Sequence, residues 1–291
     1  MPIKAILAPI QGIEHDIHAL RGAMRLAQTH DAHVTALFVH PTEEDFAVTW
    51  ARYGMVMSPV GLLAEIDHDT KKRKLAAGTL VGQAAHEFGA PIVSAGQEGV
   101  PPFSVSLRIE EGMFSKVAAT MAAFHDVVVY GHEPAGVDVQ PLDASLLEAT
   151  LLVARRPAFL APKLARDTFP SQIVIAWNGS IEGAQAVTSS LPFLLQADNV
   201  YAVRVGESDY TGAHDPMLIE YLRRHDVAAE VRVVEAGQHS TGTALLSAVT
   251  DLQADLLVMG GYTHGPTRQK MFGGVTRHVL KHAPVPVLMV H

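Results

Sequence analysis

An internal repeat, in which short apolar runs alternate with segments of helical period, constrains the fold of this chain most strongly. Residues 4–10 form a short run that is apolar after Lys4, and a Gln-Gly pair follows it. The next segment has apolar residues that recur three or four positions apart. Residues 173–177 are also apolar, and Asn-Gly-Ser and a second helical segment follow them. The sequence therefore predicts a strand, a turn and a helix at the start of each half.

Later parts of the two halves extend this repeat. Each half contains a β-branched run, an apolar run that ends in glycine, and a final run with proline at its second position. These runs are residues 33–39 and 200–205, residues 126–131 and 255–260, and residues 156–162 and 283–291. Residues 61–89 predict one or two helices, and residues 103–109 predict a third strand of the first half.

Strands that are apolar at nearly every position and alternate with helices are typical of a parallel sheet covered on both faces. We therefore predict an α/β protein with two tandem, doubly wound, Rossmann-like domains. Residues 1–164 form the first predicted domain, residues 170–291 form the second, and the linker lies between them. In such domains a ligand crevice is expected beyond the carboxyl ends of the strands, where the strand order reverses.

The composition excludes cysteine-based sites and disfavours nucleic-acid and membrane partners. Without cysteine, the chain has no disulfide scaffold, cysteine nucleophile or zinc finger. Its formal net charge of −8 disfavours a nucleic-acid partner, and the basic run at residues 71–74 indicates a solvated helix face more than a nucleic-acid patch. The amino-terminal residues lack signal-peptide architecture, and no apolar run approaches the roughly 18 residues of a membrane helix. The sequence thus predicts a cytoplasmic protein without a membrane partner.

Residues 259–280 are the most informative stretch for function. They follow a predicted strand, and Gly273 and Gly274 come just before a helix that includes Val275. Unpaired backbone N–H groups and the helix dipole favour a phosphate or another anion at such a helix start. The alternative is a turn that needs glycine for its backbone angles alone.

This stretch resembles the C-terminal signature of the universal stress protein family, G-x2-G-x9-G-[S/T] after the fourth strand. Gly260 follows Met259 at the first position, and Gly273-Gly274 completes the pattern. Two positions depart from it: Thr263 stands where the second glycine belongs, and Gly274 stands where nucleotide-binding members have serine or threonine.

Two neighbouring residues bear on these departures. Gly265 restores a second glycine only with a shifted spacing, and Thr276 supplies a hydroxyl two residues after Gly274.

The start of the second half strengthens the resemblance. In ATP-binding members an aspartate near the end of the first strand holds the nucleotide, and Asn178 occupies that place here. An asparagine that only caps the next helix is the alternative. Val205 matches the position where backbone groups meet adenine in the family. The resemblance implies these nucleotide-binding residues: Ala176, Trp177, Asn178, Val205, Met259, Gly260, Thr263, Gly273, Gly274, Val275 and Thr276.

The first half resembles the same domain by architecture only. Gln11 stands where the aspartate would be, and no second glycine and no Gly-Ser pair follow Gly131. We predict that this half binds no nucleotide and acts as a structural partner that pairs with the second half.

Sixteen histidines raise the question of a metal site. The candidate pairs are His15 with His18, His30 with His33, and His132 with Glu133, and none forms a strong motif. Scattered surface and loop histidines are therefore the preferred interpretation. His264 lies where phosphates would pass, which suggests a ligand affinity that depends on pH.

Three acidic residues after the second strand of the second half, Asp209, Asp215 and Glu220, lie in a region placed to cover the crevice. Solvated surface charge is the alternative and the preferred interpretation for them.

The sequence contains neither a G-x-S-x-G elbow nor a P-loop, so it predicts no dedicated hydrolase. The resemblance implies a stress-response regulatory protein that binds an adenine nucleotide, ATP with Mg²⁺, in its second domain. A scaffold that binds no nucleotide and a slow ATPase are the alternatives. An exposed edge strand on either domain would allow a homodimer.

Overall fold

The structure is a computed structural model that describes residues 2–42, 59–94, 96–97, 99–132, 144–163, 170–206, 214–261 and 273–291, without the side chains of residues 59–66 and 144. The chain divides into two compact units. The first unit comprises residues 3–131 and 143–154, and the second comprises residues 155–291 with two short segments, residues 1–2 and 132–142.

The first unit is a parallel sheet with helical connections. Its elements are β1 (Ala5–Ile10), α1 (Asp16–His30), β2 (His33–His40), α2 (Pro59–Phe88), β3 (Ser104–Glu111), α3 (Phe114–Ala122), β4 (Val127–His132) and α4 (Ala144–Glu148), which continues as a π-helical turn (Ala149–Val153). The strand order is β3-β2-β1-β4, and each neighbouring pair is parallel. A single helix thus spans the region for which one or two were predicted, and the predicted third strand is present.

The second unit repeats this arrangement. Its elements are β5 (Ala158–Pro162), β6 (Gln172–Ala176), α5 (Ile181–Leu194), β7 (Asn199–Val205), α6 (His214–Arg224), β8 (Ala229–Val234), α7 (Thr241–Asp251), β9 (Leu256–Gly260), α8 (Gly274–His282) and β10 (Val287–Val290). The strand order is β5-β10-β9-β6-β7-β8, in which only the pair of β5 and β10 is antiparallel. The order β8-β7-β6-β9 reproduces the order of the first unit, which confirms the predicted fold class.

Equivalent carboxylates fix the start of each sheet. Asp126 accepts hydrogen bonds from the backbone N–H groups of Lys4 and Ala5, at 2.7 and 2.9 Å. Asp255 does the same for Ser171 and Gln172, at 2.9 Å each. Asp126 precedes β4, which pairs with β1, and Asp255 precedes β9, which pairs with β6, so the repeat includes hydrogen bonds as well as strand order.

The central strands lie in the core of each unit. Ile6 and Leu7 of β1 are fully buried, as are Ile173, Val174 and Ile175 of β6. Burial on both faces explains why these strands are apolar at successive positions and were predictable from sequence. Among the described helices, none is long and apolar enough to cross a membrane.

Candidate functional site

The strand order of the second unit reverses next to β6. The chain passes from β6 to β7 and β8 on one side, whereas β9 and β10 lie on the other. Ala176, the last residue of β6, is in register with Val203 of β7 and with Met259 of β9. The predicted residues Ala176, Met259 and Gly260 therefore come together at the carboxyl edge of the sheet, where doubly wound folds bind ligands.

Gly260 ends β9 against the first turn of α5. A Cβ atom at this position would lie 2.7 Å from the carbonyl carbon of Glu182 and 2.9 Å from the backbone nitrogen of Gly183. These atoms belong to the backbone and have little room to move away. Glycine at position 260 is therefore required for close packing of strand and helix.

The amino-terminal end of α8 is open. Gly273 is its N-cap residue and makes no capping hydrogen bond through a side chain, and the first turn contains no acidic residue. Gly273 and Gly274 are exposed, and a Cβ atom on Gly274 would meet no atom of the described structure within 4 Å. Val275 is half-buried and Thr276 is 5% exposed, so the open face of this turn is the glycine pair. Its N–H groups and helix dipole favour an anion.

Asn178 forms part of the turn between β6 and α5. Its side-chain oxygen accepts a hydrogen bond from the backbone N–H of Ser180 at 3.1 Å. Ser180 is itself the N-cap of α5, and its hydroxyl accepts from the N–H of Gly183 at 3.1 Å. Asn178 thus supports the turn while Ser180 caps the helix. This local bond uses one of the two lone pairs of the Asn178 oxygen.

Val205 ends β7 beyond the last residue of β6. The carbonyl of Val203 accepts from the N–H of Trp177 at 2.9 Å, whereas the N–H of Gly206 donates to Val234 of β8 at 2.8 Å. Because successive residues of a strand direct their backbone groups to opposite neighbours, those of Val205 point to the β6 side, past its end. Val205 therefore presents a backbone donor and acceptor at the crevice edge.

Helix α6 contributes a carboxylate to the same edge. Asp215 accepts from the indole N–H of Trp177 at 2.9 Å and pairs with the guanidinium of Arg204 at 3.2 Å. Trp177 is 7% exposed, and the side chains of Arg204 and Asp215 are 19% and 18% exposed. Next to Asp215, the His214 ring lies 3.2 Å from the carbonyl oxygen of Gly179. The first turn of α6 is thus attached to both β6 and β7.

The described geometry is therefore a doubly wound unit with a crevice at the switch point and a glycine pair at a helix start. The sequence model of the universal stress protein family matches residues 2–113 and 170–291. The chain belongs to the universal stress protein family. The two matched segments show two universal stress protein domains in tandem, and the members of this family are stress-response proteins.

Solved structures of universal stress proteins share this fold over the full chain. One from Archaeoglobus fulgidus DSM 4304 is 13% identical, with a TM-score of 0.69 over 98% of this chain and 97% of that chain. A protein from Pseudomonas aeruginosa UCBPP-PA14 with the same family assignment is 14% identical, with a TM-score of 0.58 over 99% of this chain and 93% of that chain. A search of curated proteins gives no match.

Two features of the described residues are suited to contact a ligand at this edge of the sheet. The open start of α8 suits phosphates, and the backbone of Val205 suits the edge of a base. Thr263, Gly265, His264 and Asp209 lie outside the described residues, so these predictions concern parts of the site that the structure does not describe.

The equivalent turn in the first universal stress protein unit has a different environment. A Cβ atom on Gly12 would overlap the backbone carbonyl of Arg73 in α2. The carboxylate of Asp16 accepts from the N–H groups of Gln11 and Ile13, at 2.9 Å each. Burial raises the pKa of Asp16, and the backbone hydrogen bonds oppose that rise. In this unit the turn is packed directly against helix backbone.

His33 of β2 contacts the neighbouring strand β3. His33 lies between two hydroxyl groups, with Nδ1 2.8 Å from Ser104 and Nε2 2.9 Å from Ser106. Burial, followed by repulsion from His125, lowers the pKa of His33. Within the described ranges, no group of three or more histidine and acidic side chains is arranged to hold a metal ion.

The basic run of α2 also makes local contacts. It is exposed, and Lys71 and Arg73 pair with acidic residues one turn away, Asp67 and Asp69. These contacts fit the predicted solvated helix face.

Proposed function

We propose that the second unit binds an adenine nucleotide and that the protein acts as a regulatory binding module in a stress response. The open start of α8 carries this proposal. It offers backbone N–H groups, has no acidic residue in its first turn and leaves space around Gly274. A phosphate placed there gains hydrogen bonds and a favourable interaction with the helix dipole.

The opposite side of the crevice supports a purine. The backbone N–H and carbonyl of Val205 point past the end of β6, as a base edge with a donor and an acceptor requires. Such backbone contacts do not depend on the side chain at position 205. The proposed ligand therefore spans from β7 to the start of α8, with Mg²⁺ as the phosphate counter-ion.

Two observations favour a second candidate function, that of a scaffold protein that binds no nucleotide. Gly260 is required for packing against α5, which is a role independent of any ligand. The side-chain oxygen of Asn178 accepts from Ser180, which is a role in the turn that needs no ligand. A scaffold without nucleotide would retain both contacts.

Titration calorimetry with ATP, in the presence and absence of Mg²⁺, separates these candidates. Native mass spectrometry of protein purified without added nucleotide complements it. We expect ATP at one site per chain. A protein that neither copurifies with a nucleotide nor releases heat on titration would refute nucleotide binding and leave the scaffold.

The pairing of the two domains, a homodimer through an edge strand and a cytoplasmic location remain proposals with separate tests. Sedimentation of the full chain tests the dimer, because a dimer has twice the mass of 31.2 kDa.

A further inference from the structure

Asp215, the hydrogen-bond partner of Trp177, is not the solvated surface charge that we expected in this region. Asp215 and Arg204 are more than four-fifths buried, and they meet at the carboxyl ends of β6 and β7. The ring of Trp177 reaches from this pair to Gly183 on α5, where a Cβ atom would lie 3.5 Å from the indole. The carboxylate is therefore held by three elements of the crevice wall.

The carboxylate of Asp215 can accept more hydrogen bonds than the described residues donate to it. Each oxygen of Asp215 has one described donor, the indole N–H of Trp177 on one and the guanidinium of Arg204 on the other. A carboxylate has about four lone-pair sites, so roughly two remain. Among the described residues, the buried Nε atom of Arg204 also has no hydrogen-bond partner. The polar bonding of the cluster is thus incomplete within the described chain.

Asp215 also compensates for a departure from the family pattern. Asn178 replaces the aspartate of ATP-binding members, and its oxygen is bonded to Ser180. Asp215 brings a carboxylate to the same crevice from α6, and its partner Arg204 immediately precedes Val205. An acidic residue near the end of the second strand hydrogen-bonds the ribose in other doubly wound folds.

We propose that Asp215 makes the crevice selective for ribonucleotides, by accepting a hydrogen bond from a ribose hydroxyl of the bound nucleotide. This inference rests on the proposed nucleotide binding. Arg204 balances the charge of Asp215, so the pair suits a neutral hydroxyl more than an additional phosphate on the ribose. Asp215 is then a specificity-determining residue supplied by a helix outside the glycine motif.

The test compares ATP, 2′-deoxy-ATP and inorganic triphosphate by titration calorimetry on the full chain. We expect the wild-type protein to bind ATP roughly 10- to 100-fold more tightly than 2′-deoxy-ATP, as for a lost hydrogen bond to a charged group. The Asp215→Asn variant should lose most of this preference and keep its affinity for triphosphate. Glu220→Gln is the matched control, because Glu220 lies exposed on the same helix and pairs only locally with Arg224.

The outcomes distinguish the two proposals. Equal wild-type affinities for ATP and 2′-deoxy-ATP would overturn ribose selection and leave nucleotide binding intact. A folded Asp215→Asn variant with unchanged preference would also overturn the role of Asp215. No ATP binding by the wild type would overturn both proposals.

Discussion

Replacing Gly274 with aspartate should change stability and nucleotide affinity in opposite directions. Gly274 is the first residue of α8, and a Cβ atom there meets no atom of the described residues within 4 Å, so the substitution fits them. The preceding N-cap residue makes no side-chain capping bond, and no acidic group already lies in the first turn. The new carboxylate would occupy the positive end of the helix, where the proposed phosphates bind.

The two effects have different magnitudes. A carboxylate at a helix start stabilises by about 0.3–1 kcal/mol, and loss of a helical glycine adds about 0.5 kcal/mol. Two unit charges about 4 Å apart repel by about 4 kcal/mol at an effective dielectric constant near 20. Because this turn is exposed, the repulsion is weaker than this value. A repulsion about half as large corresponds to a roughly 30-fold loss of ATP affinity.

Thermal denaturation and ATP calorimetry of the same samples measure both effects. Gly274→Asn is the matched control, since it has the same shape without the charge and should retain most of the affinity. If the aspartate and asparagine variants bind ATP as tightly as the wild type, the phosphates do not bind at the start of α8. An aspartate variant less stable than the asparagine variant would contradict the electrostatic argument for this helix end.

Three further predictions concern other parts of the chain. Thr263→Gly with Gly274→Ser restores the family pattern and should raise ATP affinity in calorimetry; no gain would refute the alignment. Gly260→Ala should cost about 1–3 kcal/mol in chemical denaturation, because its methyl group meets helix backbone, whereas Gly274→Ala should be tolerated. Burial lowers the pKa of His33, so the unfolded chain binds more protons and stability should fall as the pH drops through about 6.5. His33→Gln should weaken this dependence in melts at several pH values, and the exposed control His86→Gln should not.

Strand burial decided which parts of the fold were predictable from sequence. β1 and β6 are covered on both faces, so nearly every residue is apolar and the repeat is visible. β8 was not predicted, because the residues of this edge strand, Ala229–Val234, are half-buried or exposed and do not form the continuous apolar run that identified the buried strands. Its charged residues Glu230 and Arg232 pair with each other at 2.9 Å, as expected for a solvated strand edge.

The candidate site was predictable only where local spacing determines it. The glycine pair before α8 follows from spacing, whereas the packing of Gly260 depends on a helix nearly 80 residues earlier in the chain. The contact of Asp215 with Trp177 joins residues 38 positions apart. Periodicity and composition identify Asp215 only as a charged residue of α6, so its attachment to the crevice wall could not be predicted from sequence.

The repeated turn after the first strand shows how two similar units can differ in ligand binding. Gly12 and Gly179 have nearly the same left-handed conformation, with φ values of 71° and 75°. In the first unit, the backbone of α2 at Arg73 leaves no space for a methyl group on Gly12. In the second unit, the contact described for this turn is with a side chain of α6, because the His214 ring lies 3.2 Å from the carbonyl oxygen of Gly179. Helix backbone therefore fills the space beside this turn in the first unit, which supports our expectation of nucleotide in the second unit and none in the first.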